Sequence, residues 1–445
     1  MPRIDAQRTL EQVNAASLPL AGNDTDLDPL LRKAAGRSVI LLGEASHGTH
    51  DFYSMRADIT RRLIEEQGLD GIVIEGDWPD VYRINRFIRD EDGDTSARAA
   101  LGDFERFPLW MWRNTVIEPF IDWLRDWNRA HAPEEQVGIY GMDLYSMYRS
   151  ADAVIAYLEQ VDPAAAQRAR ERYACLDQHG DPQRYGYQAA MGLSESCQKA
   201  AIEQLLEMLQ AHNQLLQRNG LRGEDELFYA ERNARVVHHA EAYYRGMFFA
   251  GVNTWNLRDR HMVDTLLDLR HHLTQQRDRR ARIAVWAHNS HLGDARATDA
   301  ALHEEVNVGQ LVREKLGDDA LLLGFTTYKG HVTAATDWDR PAEHRWVRPA
   351  LDGSIEALFH RAERKRFYLD MASLPPETLG HPLLERAIGV IYRPETERQS
   401  HYFRTRLQHQ FDAVIHLDET TALEPLDMTE GWQEREPPET WPYGI

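Results

Sequence analysis

Cysteine is almost missing from this chain: Cys175 and Cys197 are the only two in 445 residues. Two thiols supply neither a disulfide framework nor a cysteine-rich zinc centre. A basic excess is missing too. The 51 lysines and arginines are outnumbered by 71 aspartates and glutamates, a formal net charge of -20, whereas nucleic acids and anionic membranes both call for a basic footprint. No apolar run approaches transmembrane length, and no basic, apolar, small-residue leader opens the chain. Several catalytic motifs are also absent. There is no G-x-S-x-G elbow, no G-x-G-x-x-G and no H-E-x-x-H. The segment GEASHG from Gly43 to Gly48 has the glycine spacing of a phosphate loop, but Thr49 stands where a lysine must reach the phosphates and Glu44 would repel them. What survives these exclusions is a cytoplasmic, soluble protein with a small-molecule substrate, no nucleic acid and no membrane.

What is present is ordinary in bulk and unusual in one place. A hydrophobic fraction of 42% with 27% charged residues is typical of a globular chain, and the length suits about two or three domains or one large α/β domain with insertions. The unusual place is Val39–Arg56, reading VILLGEASHGTHDFYSMR. Four apolar residues predict a buried parallel strand. Gly43 ends it, and Glu44 and His47 follow three residues apart, where open α/β sheets place their ligands. Histidine suits proton transfer near neutrality, and a neighbouring carboxylate can fix its tautomer.

The rest of the chain repeats the strand-exit theme. Phe52–Gln67 has helical spacing and stops at Gly68, and Gly71–Asp77 is a second apolar strand ending in Glu75. That is a βαβ unit with acids at both exits. A third strand, Val137–Tyr140, leads to Asp143, for which helix capping is the plainer role. From about Ser150 to Arg280 the pattern is helical, with helices expected near Glu195–Arg218, Asp225–Met247 and Thr254–Gln275. The β pattern resumes at Arg282–Trp286, which exits into Ala287-His288-Asn289-Ser290-His291. It continues at Ala320–Phe325, Phe367–Leu369, Ala387–Tyr392 and Phe411–Leu417. Strands spaced by helices imply a mostly parallel sheet flanked by helices, here with an inserted all-helical subdomain covering the strand C-terminal ends. The expected organisation is therefore an N-terminal part of the α/β domain at 1–149, a helical insertion at 150–280, the C-terminal part at 281–430 and a proline-rich extended tail at 431–445. Trp110, Trp112, Trp123 and Trp127 read as core packing before they read as a ligand pocket.

The exits collect Glu44, His47, Glu75, His288 and His291, and two chemistries fit them. The set offers N and O ligands for a zinc or manganese ion that supplies hydroxide near neutral pH. Without metal, a carboxylate orients His47, His47 takes a proton from water, and a second histidine or Arg56 stabilises the oxyanion. Spacing alone leaves both open.

At this point the residues resemble a family. GEASHGTHDF, IEGDW followed by NRF, AVWAHNSHL, and NVGQL with LLGFTTY occur in the order found in the erythromycin esterase family, across about residues 30–420. The segments RNARVVHHAEAYYR and WNLRDRHM resemble that family's helical part. The resemblance implies a hydrolase of carboxylic esters or macrolactones, without cofactor or metal, in which His47 is the general base and Glu44 lies beside it. Arg56, Glu75, His288 and His291 match the family's other active-site positions, and Arg258 and Asp259 are substrate-binding candidates. Ser46 stands where the resistance enzymes commonly have Thr. The rival expectations are a metallohydrolase built from the same residues and a binding protein that has lost the reaction.

Overall fold

The computed structural model describes residues 6–91, 93–176, 180–219, 223–249 and 251–433. Its strands, in chain order, are β1 (Leu18–Pro19), β2 (Val39–Leu42), β3 (Gly71–Asp77), β4 (Gly138–Asp143), β5 (Ile283–Trp286), β6 (Ala320–Thr326), β7 (Lys329–Ala334), β8 (Glu343–Val347), β9 (Arg366–Asp370), β10 (Leu383–Arg386), β11 (Tyr402–Thr405), β12 (Ala413–Leu417) and β13 (Glu419–Thr420). The largest sheet runs β1-β9-β12-β6-β2-β5-β3-β4. Val39 pairs in parallel with Ala320 of β6 and with Ile283 of β5, and β12 is parallel to β6. At the other edge β9 runs antiparallel to β12 and β1 antiparallel to β9. The apolar runs foresee this, since a parallel sheet is buried on both faces, and every residue of β2, β5 and β6 is buried.

The chain divides into two compact units, one of Met1–Ile72, Phe87–Gly138 and Leu273–Ile445, the other of Val73–Arg86 and Ile139–His272. In the first, the helix His50–Gln67 buries Phe52, Ile59 and Leu63, and ends where Gly68 adopts φ 62°, a left-handed conformation that glycine takes without strain. The helix Ile117–Ala130 sets Phe120 against Trp286 and Trp123 at 5.3 and 5.9 Å. Trp112 lies edge-on to Tyr53, and Trp127 stacks on His131. These tryptophans are packing, as their spacing on helices suggests.

One expected strand is not there. Between Ala387 and Tyr392 the chain makes only single bridges, Ile388 to Ser46 and Ile391 to Ala335, and the strand lies just upstream as β10, paired with β11. The apolar run has another use. Ile388 and Tyr392 pack with Val332, Ala334 and Val347, and the Ile388 carbonyl accepts from the His47 N–H at 3.3 Å. The β7–β8 hairpin was likewise not foreseen, because its strands mix half-buried and buried positions.

The second unit holds the helices Met147–Val161, Pro163–Tyr173, Pro182–Ala190, Gln198–Asn219 and Gly223–Gly246, with most of Thr254–Arg277. Asp162 and Asp181 cap two of them from the residue before a proline at the first helical position, a pairing that satisfies orphan N–H groups and presets φ. Ala166, Ala169, Ala230 and Ala234 let the helices approach, around Val154, Tyr185 and Leu227. The wholly buried Glu241 accepts from the Tyr185 hydroxyl (2.7 Å), the Ser196 hydroxyl (2.8 Å) and Arg245 Nε (2.9 Å). Cys175 and Cys197 are joined by a disulfide. The two cysteines thus make one local staple, short of the framework that their number excludes.

The staple spans 22 residues of sequence, and closing such a loop in the unfolded chain is worth about 3 kcal/mol. The double variant C175S/C197S is expected to unfold at a correspondingly lower denaturant midpoint. An unchanged midpoint would show that the bond contributes nothing.

Candidate active site

In the first unit the site begins at the β2 exit. Gly43 is required there by proximity: a Cβ would lie 2.2 Å from Asn289 Oδ1 and 3.0 Å from the Leu323 carbonyl. Glu44 follows with 1% exposure. Its Oε1 meets His47 Nδ1 at 3.0 Å and its Oε2 accepts from Arg56 Nη2 at 2.6 Å. Arg56, on the next helix, is wholly enclosed, with its guanidinium 4.4 Å from the Tyr53 ring and 5.0 Å from Trp286. A buried carboxylate between a guanidinium and an imidazole settles the tautomer. His47 Nδ1 carries the proton toward Glu44, and Nε2 is left as the basic nitrogen.

His288, after β5, has its ring 4.9 Å from that of His47. It caps the turn Asn289–Leu292, with Nδ1 accepting from the Ser290 N–H at 3.2 Å. In its neutral form this ring therefore carries its proton on Nε2, the complement of His47. His291 is buried in the same turn. Asn289 is a residue that the motif contained but that reasoning from titratable groups passed over. Its N–H donates to the Glu44 carbonyl at 2.8 Å, and its Nδ2 donates to the Phe325 carbonyl at 2.7 Å. Gly48 passes so close to β7 that a Cβ would strike the Thr333 carbonyl.

The second unit carries its own charged cluster. Arg258 donates from Nε and Nη2 to the two oxygens of Asp143 (2.9 and 2.6 Å), and from Nη2 to Glu75 Oε1 (2.8 Å). Asp143 is thus one half of a bidentate ion pair, and the N-cap position of the following helix is held by Ser146, whose side chain makes no capping bond. Tyr145 lies 5.0 Å from the Arg258 guanidinium, and burial holds its hydroxyl well above its ordinary pKa. Asp259 is fully buried. Nearby in sequence, His261 and His239 share a hydrogen bond between their Nδ1 atoms at 2.7 Å. Burial lowers both, His239 to about 3. Among the described residues, no group of three or more His, Cys, Asp and Glu side chains could hold a metal ion, and no helix is long and apolar enough to cross a membrane.

A histidine paired with a buried carboxylate thus stands at a strand exit of the sheet. The chain belongs to the erythromycin esterase family, whose model matches residues 64–420. The match begins within the helix that carries Arg56, so Glu44 and His47 precede it. An erythromycin esterase type II of Escherichia coli is 22% identical over 90% of this chain and 94% of its own length. Two solved structures share the fold. One is named as a succinoglycan biosynthesis protein (TM-score 0.76, 19% identity, 96% of this chain and 100% of that one). The other is a mutant of the erythromycin esterase EreC in its open conformation (TM-score 0.67, 15% identity, 91% and 96%).

Two outcomes are expected from these clusters. Removing Arg56 strands Glu44 in a buried position, so R56A should lose about 3–5 kcal/mol of stability in denaturant unfolding; a loss near zero would mean that the pair is not buried in solution. His239 and His261 are neutral in the fold but ionise once exposed, from an ordinary value of 6.5. Their stabilisation is full above that pH and is lost as pH falls below it. The thermal midpoint should therefore drop on acidification, and less steeply in H261Q, as calorimetry across pH would show.

Proposed function

We propose that this protein is a metal-independent hydrolase of a carboxylic ester or lactone, with His47 as the base that activates water. The observation that carries the reading is the buried Glu44–His47 dyad, Oε1 to Nδ1 at 3.0 Å, with Arg56 fixed on the other oxygen. As water attacks the acyl carbon, its proton passes to His47 Nε2, and Glu44 stabilises the resulting imidazolium. The carbonyl oxygen gains negative charge. His288, whose neutral form carries its proton on Nε2, is the hydrogen-bond donor we assign to that charge, and the proton held on His47 passes to the leaving alkoxide as the tetrahedral intermediate collapses.

Arg56 takes a different part from the one its family position suggests. Enclosed by Tyr53 and Trp286, it holds Glu44 in place and does not face the substrate carbonyl. Its presence also supports water activation over metal binding. Glu44 already has a cation on one oxygen and an imidazole on the other, and a divalent ion added there would meet like charge. Glu75, His291, Arg258 and Asp259 keep the parts that the family resemblance gives them, with Arg258 on the Glu75 carboxylate and Asp143 on Arg258. The macrolide substrate is taken from that resemblance, and the cytoplasmic setting from the composition of the chain.

Mass spectrometry of a panel of macrolides and simple esters, with and without chelator, tests the reading. The expected result is a product heavier by one water, insensitive to chelator. In H47A turnover should fall by about 10²–10⁴-fold, the usual weight of a general base, with the unfolding midpoint retained. Turnover in H47A near that of the wild type would sink the role of His47, and chelator-sensitive turnover would move the assignment to a metallohydrolase.

A further inference from the structure

Behind the dyad lies a buried carboxyl that the mechanism above does not use. Glu385, on β10, is fully buried. Its Oε1 is 3.4 Å from Asn289 Nδ2, and its Oε2 is buried without a hydrogen-bond partner. Gln410, whose amide oxygen accepts from the Thr405 hydroxyl at 2.7 Å, lies beside it. Among the described residues no cation pairs with Glu385. The guanidinium of the next residue, Arg386, is turned to the carbonyls of Thr327, Tyr328 and Arg348 and to Glu397. The charged group that acts on Glu385 is instead another acid, Glu356, from the helix Ile355–His360, whose Oε2 is equally unpartnered.

Asn289 is the link from this acid to the dyad. Its backbone N–H fixes the Glu44 carbonyl. Its side chain closes a two-way bridge to Phe325, Nδ2 to the carbonyl at 2.7 Å and Oδ1 from the N–H at 3.3 Å. It directly follows His288 and shares a turn with His291. One amide thus ties the exits of β2, β5 and β6, from which Glu44 and His288 project.

We propose that Asn289 is a positioning residue for the hydrolysis, and that the state of Glu385 sets whether Asn289 stays in place; the inference rests on the reading of His47 given above. Burial and the nearby Glu356 push Glu385 up to about 8, so it is a neutral acid at pH 7. The long contact to Asn289 suits a neutral acceptor. On ionisation Glu385 becomes a strong acceptor, for which shorter charge-assisted contacts are the rule. It then draws the Asn289 amide group toward itself, against the hold of the Phe325 carbonyl on the same nitrogen. Displacing Asn289 shifts the Glu44 and His288 exits against each other, and a misplacement of about 1 Å costs on the order of 10²-fold in rate. The other titratable groups packed around this point are Glu44, His288 and His291 from the exits, with Glu356 and Arg386 behind.

The test is to measure kcat, KM and the thermal midpoint from about pH 6 to 9, across the ionisation of Glu385, for the wild type, E385Q and N289A on an ester that the wild type cleaves. In the wild type, kcat should fall above about pH 8 as Glu385 ionises; E385Q, neutral throughout, should hold its kcat into that range. In N289A, kcat should drop by about tenfold or more with KM changed far less, the pattern of lost positioning. If N289A does not fold, E385Q carries the test. The raised acid also has a sign in stability. Between about 4.5 and 8 the unfolded chain releases the Glu385 proton and the folded one keeps it, so the wild type should lose midpoint relative to E385Q as pH rises through that window. Superimposable pH profiles of kcat and midpoint would overturn the proposal. A wild type that cleaves no ester would overturn the proposed function, and with it the catalytic part of Asn289. The midpoint difference would then decide separately whether Glu385 is the neutral group described.

Discussion

The site depends on one buried carboxylate shared by two partners. Glu44 is buried, with Arg56 on Oε2 and His47 on Oε1. Burying such a charge costs several kcal/mol, and the geometry must be close to repay it. That requirement reaches outward. Arg56 must itself be enclosed, which Tyr53 and Trp286 do, and Trp286 is fixed in turn by its Nε1–H bond to Thr60 at 3.0 Å. The helix His50–Gln67 therefore serves less as a generic sheet-packing helix than as the carrier of the counter-ion. Its buried face is interrupted by an arginine for that reason.

The same constraint explains the glycines on either side of Glu44. At Gly43 the β2 exit runs against Asn289 and the Leu323 carbonyl, and at Gly48 the chain runs against β7. Neither has a positive φ. Their job is thinness. With both points pinned, the five-residue arc from Glu44 to Gly48 has little freedom to wander, and His47 is presented by backbone contacts as much as by Glu44. The Ile388 carbonyl on the His47 N–H is one such contact.

Much of this was legible in the chain, and the parts that were not share a physical cause. Unbroken apolar runs announced β2, β3, β5, β6 and β12, because strands of a parallel sheet are buried on both faces and leave no alternation to misread. A polar or titratable group at the end of each run marked the exit: Glu44 for β2, Glu75 for β3, His288 for β5, Thr326 for β6 and Asp418 for β12. The Glu44–His47 pairing followed from three-residue spacing. Arg56, by contrast, was expected to face a substrate, since sequence does not tell a guanidinium under two rings from one in a cleft. Asp143 was expected to cap a helix, a local role, and instead pairs with Arg258, 115 residues away. The run Ala387–Tyr392 looked like a strand because it is apolar, but the reason it is apolar is that it packs under β7 and β8 and braces the His47 loop. The two cysteines illustrate the limit in the other direction: their number excluded a framework and said nothing about whether they met.

The two charged clusters also differ in how they store charge, and this bears on what each can do. In the first unit Glu44 lies between one fixed cation, Arg56, and one imidazole, His47. In the second unit Arg258 faces two carboxylates, Asp143 with both oxygens and Glu75 with one. The guanidinium is not titratable in any accessible range, and Tyr145 beside it is held in its neutral form by burial. Such a cluster is built to keep its geometry and its charge constant. On the reading proposed above, the catalytic base belongs to the first arrangement and a fixed electrostatic anchor to the second, a contrast that strand-exit position alone does not draw.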